Sequence, residues 1–497
     1  MVARIMKEST NRKKVFQLIT MILLTSCSQI VALYKSKFTA VTFGATDYMD
    51  AYNFSLGIAS FVFSLVTAGI TTIIIPAYVK KVSLRVVNTF ITITYGSVIL
   101  IALIILNFRI PFISFFTERG DNFVSIASTL LIISFIIQGI TAFLAVTAAY
   151  YQCENRYNTP KFIVLLVNLF VLITLLFGEI NNIRAYFSLL LIAALMNLIL
   201  DIICAVTIGF RYTLCFDIKN KELMNMMKTF FPVLLASSVY QFQLVIGTTV
   251  ATNLPEGQVT ILSYSSQIIT LVNAVIIGNL TTYVYPKILA KLEDICILSY
   301  FWDYCILFHA ILMLIIAGFI NVGLEFVSLL FLGGKFTQDN VNILYFCACV
   351  FIFSQQFYIL IDLIYKYFYA HGNTKDTFRN SITASSLNII LTLFLVKFWG
   401  IYGIVLVSSL TGFFSLSTIL LRFKKRFGLG IRFHFILLEL GKNLFSMIGT
   451  VLIIQWMKSI YIIADTIISI LVYGILSILV YVMLSLLLRT RIKQIRL

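Results

Sequence analysis

The chain is written as long apolar runs of helical length separated by short polar punctuation. Fourteen such runs can be read, near residues 15–33, 50–79, 86–107, 124–150, 161–178, 185–208, 229–252, 260–285, 301–322, 341–364, 380–398, 400–421, 436–456 and 461–488. A bilayer-spanning helix needs roughly 20 mostly apolar residues. Continuous runs of that length, rather than ten-residue alternating ones, predict helices and not a barrel. The pattern also repeats: Thr71-Thr72, Pro76 and Lys81 return as Thr281-Thr282, Pro286 and Lys291, each displaced by 210 residues. Weaker echoes follow, with Tyr150-Tyr151, Asn158-Thr159-Pro160 and Asn168 answered by Tyr367-Phe368-Tyr369-Ala370, Asn373-Thr374 and Asn388. The expected fold is therefore an all-α integral membrane protein of about 14 transmembrane helices. Two homologous six-helix bundles, residues 1–215 and 225–430, are expected around a central cavity. An extra helix pair with a basic tail follows at 431–497. Because each copy holds an even number of spans, the copies run parallel through the membrane.

Composition supports this reading and removes several others. Of 497 residues, 60% are apolar and 11% charged, and the mean hydropathy is +1.00, which leaves too little polar surface for a water-soluble chain of this size. The net charge of +17 would fit a nucleic-acid partner, but the placement of the basic residues argues otherwise. Most fall in the N-terminal tail, near 80–85, 156–161, 211–228, 287–291, 366–379, 422–442 and the C-terminal tail, all on one side of the membrane if the N-terminus is cytoplasmic. That asymmetry is the positive-inside rule and predicts a multi-pass protein of the cell (inner) membrane with both termini cytoplasmic and no nucleic-acid partner. The basic start followed by an apolar run reads as the first span and not a cleaved leader. No G-x-x-x-x-G-K-[ST] motor motif is present. No polar insert exceeds about 20 residues, so no extramembrane catalytic domain is expected. The eight cysteines lack C-x-x-C spacing, and His309, His371 and His434 are scattered. No metal, no cofactor and no enzymatic chemistry are expected.

Several segments then resemble one family. Ser28-Gln29, Lys35, Phe43-Gly44 and Asp50-Ala51-Tyr52 resemble the first two helices of the lipid II flippase (MurJ/MviN-type) family. Phe231-Pro232 with Leu254-Pro255-Glu256-Gly257-Gln258-Val259 is similar to its seventh helix and following loop. Phe331-Leu332-Gly333-Gly334-Lys335-Phe336-Thr337 resembles its L-F-x-R-G-x-F-T segment, and Lys366-Tyr367-Phe368-Tyr369-Ala370 its R-x-F-Y-A. The family belongs to the multidrug, oligosaccharidyl-lipid and polysaccharide exporter superfamily, with the O-antigen and capsule flippases as near relatives. The resemblance implies a flippase that carries an undecaprenyl-diphosphate-linked sugar, its diphosphate held by basic residues in the cavity and its tail by the last two helices. The chain departs from the family pattern at Gln29, Gln267, Gly333 and Phe63, each standing where the family has Arg; Lys35 and Lys366 keep a positive charge.

The candidate substrate-binding residues are accordingly Lys35, Lys37, Gln29, Gln267 and Asp50. Lys35 and Lys37 are two residues apart, about 200° around a helix, so they cannot face one cavity equally. Each is read either as a cavity cation or as a lysine snorkelling to the headgroups. Asp50 opens a helix, where an acid caps well, against pairing with a cavity lysine. Gln29 and Gln267 would bond a sugar hydroxyl or tie helices together. The gating or coupling candidates are Asp362 and Lys366, four apart on one helix face, and the repeat-matched Pro76 and Pro286, which remove a backbone hydrogen bond. The expected partners are the lipid-linked sugar, membrane lipids and, in one reading, a coupling cation, with the chain acting as a monomer. The rival reading on the same fold is a cation-coupled multidrug exporter. Rivals of other classes are a membrane glycosyltransferase and a non-transporting scaffold; the first wants a large outer loop, and the longest outer connection here spans only residues 108–123.

Overall fold

The computed structural model describes residues 2–67, 69, 73–79, 82–178, 180, 182–274, 297–371, 373–429 and 433–490. They form α1 (Val2–Phe43), α2 (Asp47–Thr67), α3 (Ile75–Val79), α4 (Leu84–Asn107), α5 (Arg109–Phe116), α6 (Asp121–Cys153), α7 (Asn158–Phe177), α8 (Ile183–Ile208), α9 (Lys221–Thr252) and α10 (Gln258–Val272). After residues outside the description come α11 (Ile297–Phe331), α12 (Gln338–Ala370), α13 (Lys375–Phe427), α14 (Phe433–Ile460) and α15 (Thr466–Leu487). Among the described residues twelve helices are long and apolar enough to cross a membrane. One of these, α13, is two spans in series. Gly400 breaks it with φ 53° and ψ −132°, a left-handed conformation that glycine adopts without steric cost, at the division expected between 398 and 400. The span expected at 260–285 begins as α10 and leaves the described residues after Ala274. Of the run expected over 50–79, α2 ends at Thr67 and α3, with Pro76 its second residue, begins at Ile75; residues 68 and 70–72 lie outside the description.

The chain divides into two compact units, residues 1–260 and 261–497. In the first, α2 packs along α6, α9 and α4, α1 lies on α7, and α8 on α6 and α7. The seventh long helix, α9, thus packs within the first unit although the repeat begins its second copy there. Close approach of α2 to α9 rests on Gly57, where an added Cβ would lie 3.3 Å from Thr248 Oγ1. Ser55 Oγ donates to Ala127 O of α6 at 3.0 Å. Where the family pattern has Arg, Phe63 is buried against Tyr95 and Phe135. Lipid is as apolar as these side chains, so close packing and interhelical hydrogen bonds, rather than burial from water, hold the helices together.

In the second unit α11 packs on α12, α14 and α15, and α12 on α13. The last helix is polar inside and apolar outside. Ser469, Tyr473, Ser477, Tyr481 and Ser485 are buried at four-residue spacing, while Ile467, Leu471, Ile475 and Leu479 are exposed. Tyr481 donates to Ala310 O at 2.9 Å and Asn321 to Ser477 Oγ at 3.0 Å, so the small polar stripe of α15 is the glue to α11. Helix starts follow the usual cap chemistry: Asn182, Asn220 and Asp465 accept from the backbone N–H of Arg184, Glu222 and Ile468, supplying acceptors the first turn lacks.

Candidate functional site

Along the shared edge of α1 and α7 a polar ladder runs through apolar helices. Lys161 Nζ donates to Thr25 Oγ1 at 2.8 Å, Asn168 Nδ2 to Ser28 Oγ at 3.0 Å, and Lys35 Nζ to Asn168 Oδ1 at 2.5 Å. Residues 25, 28 and 35 share one face of α1 because three- and seven-residue steps return to the same side of a 3.6-residue helix. Both lysines are half-buried, and among the described residues neither has a carboxylate within salt-bridge distance. Each ammonium offers three N–H donors, so a single neutral oxygen leaves donor capacity and a full charge unmatched.

Beside this ladder lies a cavity of about 460 Å³, lined by Thr25, Ser28, Gln29, Gln152, Tyr157 and Lys161 among others. Gln29 and Lys161 share this cavity's wall. Lys35 is linked to the cavity wall through Asn168 and Ser28, eight residues before the end of α1, about 12 Å along the axis. Lys37 is half-buried in the same helix, and its two-residue offset turns it from the α7 edge that Lys35 joins. Lys161 was missed from the sequence because a lysine at a helix start reads as an ordinary headgroup charge. Asn168 carried a signal in its repeat match to Asn388.

Asp50 has a different fate. It is fully buried. Its Oδ1 accepts from Thr260 N at 2.8 Å and Thr260 Oγ1 at 2.7 Å, and its Oδ2 from Gly257 N at 2.8 Å and Arg119 at 2.9 Å. The acid caps the start of α10, 210 residues on, instead of its own helix, and the macrodipole there favours it. Arg119 also pairs with Asp47 at 3.1 Å, donates to Leu254 O and lies over the Phe123 ring. Gly257 is required: its φ is +88°, and a Cβ would fall 2.8 Å from Ala45 O. With four protein donors on its two oxygens, the carboxylate has no capacity left for a cavity lysine. Arg119 lies on the connection read as a plain outer loop, and nothing local pointed to its partner.

In the second unit Lys366 meets Asp362 at 2.8 Å, the pairing that their spacing implies. Gln267 is half-buried on α10. Gly333, standing for another family Arg, has φ 140° and closes a turn with Phe336, backbone in which a long side chain would be strained. Pro286, with Thr281, Thr282 and Lys291, lies outside the described residues. Among the described residues no group of three or more His, Cys, Asp and Glu could hold a metal ion.

The sequence profile of the family described as "Lipid II flippase MurJ" matches residues 39–490. The Borreliella burgdorferi protein named "Probable lipid II flippase MurJ" is 24% identical over 421 residues, covering 80% of this chain and 81% of that one. The Thermotoga maritima protein of the same name is 24% identical over 417 residues, covering 81% and 84%. Among solved structures, a lipid II flippase MurJ in an inward closed conformation superposes with a TM-score of 0.78 at 19% identity, over 95% of this chain and 99% of that one. An inward-facing multidrug resistance MATE family transporter of the MOP superfamily gives 0.65 at 13% identity, over 82% and 98%. At such identities the structures establish a shared fold.

Proposed function

The chain belongs to the lipid II flippase MurJ family, and from that premise we propose that it moves an undecaprenyl-diphosphate-linked saccharide, the wall precursor lipid II first among them, across the bacterial cytoplasmic membrane. The observation that carries this is the charge of Lys35 and Lys161, each held by a neutral oxygen, with Lys161 in the wall of a cavity that Gln29 and Gln152 also line. A lysine inside a membrane helix costs about 2.5 to 3.5 kcal/mol at mid-depth, and a neutral amide or hydroxyl offsets little of that. An anionic ligand would offset it whenever bound. A diphosphate fits, since its oxygens accept several charge-assisted hydrogen bonds, and Gln29, Gln152 and Tyr157 offer donors and acceptors to the sugar.

In this reading the duplicated bundles alternate access, Lys35 and Lys161 hold the diphosphate, and Gln267 and Lys37 serve as further polar contacts along the route. The Asp362–Lys366 pair and the matched Pro76 and Pro286 are the groups through which opening and closing would be felt. No motor motif is present in the sequence, so the energy would come from an ion gradient or the membrane potential. An inside-negative potential favours outward passage of a diphosphate by about 2.3 kcal/mol per charge per 100 mV. Both termini are assigned to the cytoplasm and the working unit to one chain.

Leaflet-resolved measurement of undecaprenyl-diphosphate sugars after depletion in the native host tests the proposal. Accumulation of lipid II on the cytoplasmic leaflet is expected; accumulation of an O-antigen or capsule unit instead would change the glycan but keep the transport. No accumulation, together with efflux of cationic dyes, would overturn it in favour of the multidrug exporter, a reading that the unpaired lysines disfavour because they would repel cationic cargo.

A further inference from the structure

Between α8 and α9 the chain is neither helix nor strand, yet it is held in one course along α4. Asn88 Nδ2 donates to Arg211 O and to Thr213 Oγ1 at 3.3 and 3.1 Å. Asp217 N donates to Thr89 Oγ1 at 3.3 Å, and Asp217 faces Arg85 at 3.8 Å. These anchors sit on odd-numbered residues. The even-numbered ones, Tyr212, Leu214, Phe216 and Ile218, line a groove of about 680 Å³ whose other walls are α4 around Gly96 and α9 around Met224 and Met227. Leu214, Phe216 and Ile218 are 75%, 71% and 62% exposed, a row of large apolar side chains on non-helical backbone that none of the described residues of the first unit covers.

We propose that this groove binds an acyl chain of an anionic phospholipid, whose headgroup rests on the basic residues at the groove's end. Two observations select that occupant. First, the polar side chains of the lining are already spent: Thr92 Oγ1 donates to Asn88 O and meets Tyr212 OH at 3.0 Å, Ser97 Oγ donates to Thr94 O, and Tyr95 OH to Gly139 O. The remaining lining side chains, from Ile93 and Ile99 to Leu214, Phe216, Ile218 and Met224, are apolar, which fits a hydrocarbon chain better than a sugar. Secondly, Arg85, Arg211, Lys219, Lys221 and Lys228 are exposed around the same segment, and among the described residues of that stretch Asp217 and Glu222 are the acids beside them. A juxtamembrane basic cluster attracts anionic headgroups, and an apolar edge beside it anchors in the acyl region. The groove lies wholly within residues 1–260 and shares no lining residue with the cavity at Gln29, so the inference stands apart from the substrate reading.

The test uses the full-length protein reconstituted in nanodiscs of equal phosphatidylglycerol and phosphatidylethanolamine, with retained lipids counted by native mass spectrometry. The wild type is expected to retain phosphatidylglycerol over phosphatidylethanolamine. Gly96→Phe fills the groove, since an added Cβ there meets nothing within 4 Å, and should lower phosphatidylglycerol retention about tenfold with the melting temperature unchanged. The pair Lys219→Glu and Lys221→Glu should keep a bound lipid but lose the preference for the anionic one, about tenfold in ratio. Equal retention of the two lipids by the wild type, or no change in both variants, would overturn the proposal. So would retention that follows added undecaprenyl phosphate in place of phosphatidylglycerol, which would assign the groove to carrier lipid. A wild-type dimer that becomes monomeric in Gly96→Phe would assign it to a second copy of the chain.

Discussion

The two units treat their helix lysines in opposite ways. In the first, Lys35 and Lys161 are held by an amide oxygen and a hydroxyl. In the second, Lys366 sits on Asp362 at 2.8 Å and Lys442 on Glu439 at 2.7 Å, and Lys458 is paired with Glu325 while lying over the Tyr473 ring. A lysine matched by a carboxylate is electrically finished, whether the acid is on its own helix, as for Lys366 and Lys442, or on another, as for Lys458. A lysine matched by a neutral oxygen keeps its charge on offer. The same residue type in apolar helices is thus a candidate for anion binding where its partner is neutral and a closed pair where its partner is an acid.

The comparison is broken or sharpened by substitutions whose readouts separate stability from transport. The largest effect is expected at Asp50, the exception in the first unit, where the charge is fully enclosed. Asp50→Asn removes the buried one of the two carboxylates that offset Arg119 and puts an amide N–H against the donors of Gly257 and Thr260, which should cost about 3 kcal/mol, the scale for breaking a buried pair, read as a lower melting temperature. If that variant is as stable as the wild type but inactive, the carboxylate belongs to the transport route instead. Next comes Lys35→Ala, for which a drop in flipping of at least about tenfold, or about 1.4 kcal/mol, is expected with little change in melting temperature. Lys35→Arg should restore it, and full activity of the Ala variant would sink the assignment. Lys458→Met should behave inversely, with transport retained and stability lowered by about 1 kcal/mol, a figure reduced because both partners are partly exposed; Glu325→Leu added to it should recover the loss. The smallest effect is expected from Asn443→Leu on α14. Its Oδ1 has no hydrogen-bond partner, and the change should move stability by no more than about 0.6 kcal/mol in either direction.

Much of the architecture was legible along the chain because its causes are local. Hydropathy over a helix length marks the spans, a glycine between two apolar runs marks the break at Gly400, and a four-residue spacing marks the Asp362–Lys366 pair. The site was legible only in part. Gln29 and Lys35 could be singled out as polar residues in apolar surroundings, but that signal is shared by Asp50, Glu439 and Asn443, which are buried, Asp50 against Thr260 and Arg119, Glu439 against Lys442 of its own helix and Asn443 against Ile306 O. What distinguishes them is the identity of a neighbour on another helix: Asn168 for Lys35, Thr25 for Lys161, and Gly257, Thr260 and Arg119 for Asp50.

By itself the sequence determined that the chain is a bundle of membrane helices, and which side chains are costly enough in a bilayer to need a partner. Only the tertiary structure decided which partner each one received, because helix period sets the direction a side chain points from its own axis and carries no information about the axis lying opposite. The difference between a lysine resting on a neutral oxygen and one closed by a carboxylate is made at that crossing.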